Sequence, residues 1–220
     1  MTGSKLRAGV LVLACLCILT LTPMAASAES VACVGDSITE DHITLKLQSI
    51  LQNDTGAEWP VYDYGRGGFT THMLRDEMAA GCFWCRKPTY SFIMAGTNDM
   101  VHGYSIDGSV RAMQYMVDMM RRGSDRIVVA LIIPSLSTGE TEWAKEYNQR
   151  LQERLSGVDY FMKTNWEDFY NPDTNTANGD YMTDRLHPND AGYDIIAQNY
   201  ADVINSRQAD PNTEKVNHYR

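Results

Sequence analysis

The sequence predicts an α/β fold, a parallel sheet of about five strands covered by helices on both sides. Three observations predict it. Short apolar runs alternate with segments of helical period along most of the chain. The run at 126–133 is almost continuously apolar, as a strand buried on both faces requires. Three motifs each follow an expected strand, which puts them at the same edge of a parallel sheet.

In order, residues 31–34 form the first expected strand, and Ile43, Leu47, Ile50 and Leu51 then recur at helical spacing. Residues 60–64 form a second strand, ended by glycines at 65, 67 and 68, and 71–80 can be helical. A third strand at 90–95 runs into Gly96. Val110, Met113, Val117 and Met120 line one face of the next helix, a stripe that reads as core packing, with Arg121-Arg122-Gly123 as its stop. The strand at 126–133 ends at Pro134, residues 143–155 are helical, and 158–162 is a weaker fifth strand. A last amphipathic helix covers 191–204. No repeat, low-complexity stretch or domain linker interrupts this series.

Residues 1–28 stand apart. Lys5 and Arg7 precede an apolar run from 8 to 21, and Ala26-Ser27-Ala28 is a small-x-small cleavage site. That pattern is a secretory signal peptide, and its apolar run is shorter than the roughly 20 residues of a spanning helix. A lipoprotein reading at Cys15 is disfavoured by the apolar residues that follow it. The expected organisation is therefore a signal peptide at 1–28, one domain at 29–205 and a polar tail at 206–220. The expected location is secreted or periplasmic, with no membrane span in the mature chain.

Cleavage after Ala28 removes two of the 19 basic residues, leaving 17 against 28 acidic ones, a net charge of −11. Such a surface repels phosphate backbones, so nucleic acid is not an expected partner. Three cysteines remain. Cys33 lies in an apolar strand and reads as a small buried hydrophobe. Cys82-Phe83-Trp84-Cys85 is a C-x-x-C, for which a local disulfide is the simplest reading in an exported chain. A zinc site would need a second pair, and none exists.

The motifs point to nucleophilic acyl chemistry. In Gly35-Asp36-Ser37-Ile38-Thr39 a tight turn after a strand can present Ser37 as a nucleophile, which needs an adjacent base. Far downstream, Asp184-Arg185-Leu186-His187 offers His187 as that base, with Asp184 three residues earlier to orient the ring from the same turn. Gly65-Arg66-Gly67-Gly68 and Gly96-Thr97-Asn98-Asp99 supply oxyanion donors: the Gly68 amide and the Asn98 side chain, beside the Ser37 amide. The α/β-hydrolase elbow G-x-S-x-G is absent, because Thr39 takes the place of its second glycine.

Four segments in this order resemble the GDSL esterase/lipase family, also called SGNH hydrolases. V-G-D-S-I-T matches the first block, D-Y-G-R-G-G-F-T the second, G-T-N-D the third and D-R-L-H-P-N the last. The match spans 31 to about 205. The resemblance implies a flavodoxin-like three-layer α/β/α sandwich and ester hydrolysis without metal or cofactor, through Ser37, His187 and Asp184, with an oxyanion hole of Ser37, Gly68 and Asn98. Two positions depart from the family pattern: Asp63 stands where the second block opens with Asn, and Glu40-Asp41-His42 replaces a stretch that often holds a glycine.

For the substrate, little sequence is left between the blocks for a lid or deep acyl tunnel. Phe69, Trp84 and Tyr104 could line an open cleft, with His42, Arg66 and His102 as polar contacts. That favours acetyl or another short acyl group on a polar alcohol, such as an O-acetylated carbohydrate. The alternatives are a lipase, lysophospholipase or thioesterase, a carbohydrate-binding module on the same scaffold, and a flavin-binding protein. The last two fit poorly with a chain that keeps every proposed catalytic group.

Overall fold

The computed structural model describes residues 29–81 and 86–209. The expected signal peptide, Trp84, the pairing of Cys82 with Cys85 and the tail beyond 209 lie outside these residues. Among the described helices, none is long and apolar enough to cross a membrane.

Five parallel strands form the central sheet: β1 (Val31–Gly35), β2 (Val61–Gly65), β3 (Tyr90–Met94), β4 (Arg126–Ala130) and β5 (Tyr160–Met162), in the spatial order β2-β1-β3-β4-β5. Every residue of β1 and β3 is buried, as central strands covered on both faces demand. The chain moves from β1 outward to β2, then returns to the other side of β1 as β3. This reversal makes the carboxyl ends of β1 and β3 a topological switch point, where open parallel sheets place their ligands. Gly35 lies in register with Gly65 on one side and Met94 on the other, so the turns that follow emerge together.

Helices α1 (His42–Thr55) and α7 (Asp190–Ala209) pack on each other on one face. Ile43, Leu47 and Leu51 of α1 are fully buried, and Tyr200 of α7 stacks on Phe92 of β3 at 4.2 Å. Lys46 joins the two helices outside the core, pairing with Asp190 at 2.8 Å and Asp194 at 2.5 Å. The other face carries α2 (Thr71–Ala80), α4 (Ile106–Met120) and α5 (Thr138–Arg154), packed α2 against α4 and α4 against α5. The methionine stripe of α4 is core, with Met113, Met116 and Met120 all at 0% exposure. Side-chain caps begin α2 and α4: Thr70 accepts from the Met73 amide and Ser105 from the Gly108 amide. Cys33 is buried as expected, and burial pushes its thiol well above the ordinary range.

Several elements differ from the sequence expectation. β4 ends at Ala130 rather than 133 because its partner β5 is only three residues long. Beyond it, Asn148 of α5 replaces the ladder: its side chain accepts from the Ile132 amide at 3.1 Å and donates to the Ile132 carbonyl at 2.8 Å. α5 begins at Thr138, five residues early, because the Thr141 hydroxyl bonds both the amide and the carbonyl of Ser135. β5 is shorter than expected, since Asp159 accepts the Ile127 amide with its side chain. Short α3 (Thr97–Val101), α6 (Thr164–Phe169) and the antiparallel pair β6 (Tyr170–Asn171) and β7 (Thr176–Ala177) were not anticipated.

Candidate active site

Asp36 shapes the turn after β1. Its carbonyl accepts the Thr39 and Glu40 amides, each at 3.1 Å, and its Oδ1 accepts the Ile38 amide at 3.1 Å. These bonds leave Ser37 half-buried at the sheet edge. Its Oγ lies 2.9 Å from His187 Nε2, across 150 residues of sequence.

His187 Nδ1 in turn faces the Asp184 carboxylate at 2.9 and 3.1 Å. A neutral ring that satisfies both neighbours carries its proton on Nδ1, leaving Nε2 to accept from Ser37. The acid and base do not share a helical turn, as their spacing had suggested. They occupy a bent loop that Asp184 closes on itself, its Oδ1 accepting the Leu186 and His187 amides at 2.8 Å each. The Thr183 amide donates to the His187 carbonyl at 2.8 Å, and Met182 and Pro188 bridge below. Ser135 Oγ and the Leu136 amide donate to the Arg185 carbonyl, tying this loop to the segment between β4 and α5. Partial burial raises the Asp184 carboxyl, but the two amides and the imidazole outweigh that and hold it below its ordinary value.

Gly68 and Asn98 follow β2 and β3, the two strands that flank β1. Gly68 sits at φ +76° in a turn closed by the Phe69 amide on the Arg66 carbonyl, a conformation that favours glycine. Among the turn and loop hydrogen bonds of the described residues, neither the Ser37 nor the Gly68 amide is used. Asn98 stands on α3, and its Nδ2 donates to the Phe69 carbonyl at 2.9 Å. Gly96 begins α3 at φ +132°, with the Tyr147 ring so close that an added Cβ would lie 2.5 Å from it. Tyr147 reaches back to donate to the Ala95 carbonyl at 2.9 Å.

The other expected contacts are scattered around this centre. His42 is exposed on α1, with its ring edge-on to Tyr193 of α7 at 4.4 Å. Arg66 is engaged by Glu77 at 2.8 Å and by the Gly65 carbonyl. Phe69 is half-buried against the core. His102 and Tyr104 are exposed beyond α3, 5.9 Å apart, and Tyr104 also neighbours His72.

Two buried carboxylates went unread in the sequence although both lie inside the quoted motifs. Asp36 is 1% exposed. Burial pushes its carboxyl up to about 6, against the lowering effect of the Ile38 amide, the Thr97 hydroxyl and amide, and the nearby His187. Asp99 is fully buried and accepts from Thr71 and Ser109. Asp63, the departure from the family pattern, serves α1: its Oδ2 accepts the Asp41 amide at 2.6 Å and the Thr44 hydroxyl at 3.3 Å, and its Oδ1 accepts the Gly65 amide. Among the described residues, no group of three His, Cys, Asp or Glu could hold a metal ion.

Comparison with known proteins matches the GDSL-like Lipase/Acylhydrolase family model over residues 33–195. No curated protein matches the chain. Solved structures do. An acetylxylan esterase from Geobacillus stearothermophilus is 18% identical, with a TM-score of 0.65 over 80% of this chain and 94% of that one. A GDSL-like lipase from Bacteroides thetaiotaomicron is 17% identical, with a TM-score of 0.66 over 81% and 88%. An acetyl esterase whose structure holds an acetate ion is 18% identical, with a TM-score of 0.65 over 84% and 100%. At these identities the likeness is one of fold. The family model carries further: the chain belongs to the GDSL-like lipase/acylhydrolase family and is a hydrolase of ester bonds.

Proposed function

We propose that the protein is an exported serine esterase that removes acetyl or other short acyl groups, with O-acetylated carbohydrate as the favoured substrate class. The observation that carries the mechanism is the unbroken line from Ser37 Oγ through His187 to Asp184, at 2.9 Å on each side of the ring. Ser37 Oγ attacks the ester carbonyl while its proton passes to His187 Nε2. The carbonyl electron pair moves onto oxygen, where the Ser37 and Gly68 amides and the Asn98 Nδ2 receive it. Collapse breaks the bond to the alcohol oxygen, which takes the proton from Nε2. Water, deprotonated by the same nitrogen, then releases the acid and restores Ser37.

Short acyl groups are supported by the fold neighbours described as acetylxylan and acetyl esterases. Export rests on the leader pattern at 1–28 and is tested by the N-terminal sequence of protein recovered outside the cytoplasm.

The deciding experiment is an acyl series from acetate to palmitate, with acetylated sugars alongside. Rates that fall beyond butyrate support the short-acyl reading, and rates that rise make the enzyme a lipase. In the same assay Ser37→Ala should lower turnover by about 10⁴-fold or more with an unchanged melting temperature. Retained turnover removes Ser37 from the mechanism.

A further inference from the structure

Asp99 has no place in the mechanism above, yet it is a fully buried carboxylate beside Asn98. Its Oδ2 accepts the Thr71 amide at 2.7 Å, and its Oδ1 accepts the Thr71 hydroxyl and the Ser109 hydroxyl, both at 2.6 Å. Among the described residues these three donors, and no cation, bond its carboxylate. A buried charge is tolerated only when its lone pairs are satisfied, so the three donors and the carboxylate specify one another.

The donors have a meaning in the fold. Thr71 is the first residue of α2, and its amide is one of the helix's orphan donors. Asp99 satisfies it from another helix and places negative charge at the positive end of α2. The neighbouring side chain on α3, Asn98, holds the Phe69 carbonyl at 2.9 Å. Consecutive side chains of α3 therefore grip Phe69 and Thr71, two residues apart in the chain. Thr70 between them is extended, so the gripped residues share a face. Gly68 immediately precedes this doubly held stretch.

Resting on the serine esterase reading, we propose that Asp99 is a positioning residue for the oxyanion hole: it locks the segment carrying Gly68 onto the helix carrying Asn98, so that donors from two separate motifs act as one rigid cradle. Ser109 extends the lock to α4. The cradle then needs little reorganisation when the tetrahedral anion forms, which is how such donors lower a barrier.

The test compares the full-length wild type with Asp99→Asn, which keeps the shape but removes the charge, and with Thr71→Val, which removes one hydroxyl and keeps the amide bond. For p-nitrophenyl acetate, Asp99→Asn should lower kcat by about 10- to 100-fold while KM stays within about threefold, a fraction of the loss from deleting a donor outright. Affinity for phenylboronic acid, which forms a tetrahedral anion on the serine, should fall by the same factor as kcat. Thr71→Val should show the same coupled loss on a smaller scale, and it carries the test if Asp99→Asn does not fold. A folded variant with wild-type kcat overturns the proposal, as does a kcat loss with undiminished boronate affinity. Absence of both ester turnover and boronate binding in the wild type would instead sink the esterase reading itself.

Discussion

The two sides of the site are built in opposite ways. Its floor is dry: Asp36 and Asp99 are at most 1% exposed, and each is fixed by amides and hydroxyls from other elements or from its own tight turn. Its rim is wet: the side chains of His187 and Asp184 are 38% and 55% exposed, and their loop is held largely by bonds within itself. On the floor, geometry comes from long-range packing and any change is felt by the whole fold. On the rim, water screens Asp184 and its ring partner, and less of the packing rests on the loop. Turnover should therefore respond most to changes on the rim, and stability most to changes on the floor.

The largest effect belongs to the rim. His187→Ala should lower ester turnover by about 10⁴-fold, as loss of a base does in other serine hydrolases, with a melting temperature close to wild type. A cooperative stability loss of several degrees would show that the rim supports the fold after all. Next comes Asp184→Asn. Because the carboxylate orients the ring from a half-exposed position, its removal should cost about 10²-fold in turnover, less than loss of Ser37 or His187. A drop as large as that of His187→Ala would mean that solvent does not screen this pair.

The smallest effect on turnover, and the sharpest on stability, belongs to the floor. Asp36 titrates near 6 in the folded protein against 3.8 ordinarily, so its stabilising contribution is complete below about pH 3.8 and is lost as pH rises through 6. Asp36→Asn should therefore gain stability relative to wild type between pH 4 and 7, on the order of 3 kcal/mol. Urea unfolding of both proteins across that range measures it. A gap that does not change with pH would mean that Asp36 keeps its proton affinity on folding.

Much of this arrangement was legible in the sequence because it rests on short-range signals. Alternating apolar runs and helical periods mark the five strands, and the segment 71–80 that can be helical is α2. Ser37, Gly68 and Asn98 could be placed on one edge because each directly follows a strand. What could not be read depends on contacts distant in sequence. Asn148 ending β4 and Thr141 starting α5 act through side-chain bonds that leave no periodic trace. The spacing of Asp184 and His187 fits a helical turn and a self-bonded loop equally well, and only the bonds to Leu186 and His187 amides decide it. Asp36 and Asp99 stood in plain view within their motifs, but burial, which gives them their roles, is not written in any local pattern. Asp63 departs from the family pattern in the second block, and it is an acceptor at the start of α1.

Ser37 and His187 lie 150 residues apart, and the histidine loop leads straight into α7, whose seat is α1. During synthesis the serine thus emerges long before its base, and the two meet only once the final helix has settled on the first. On the serine esterase reading, a chain that stops short of His187 lacks its base, so hydrolysis would report that the last helix has docked on the first.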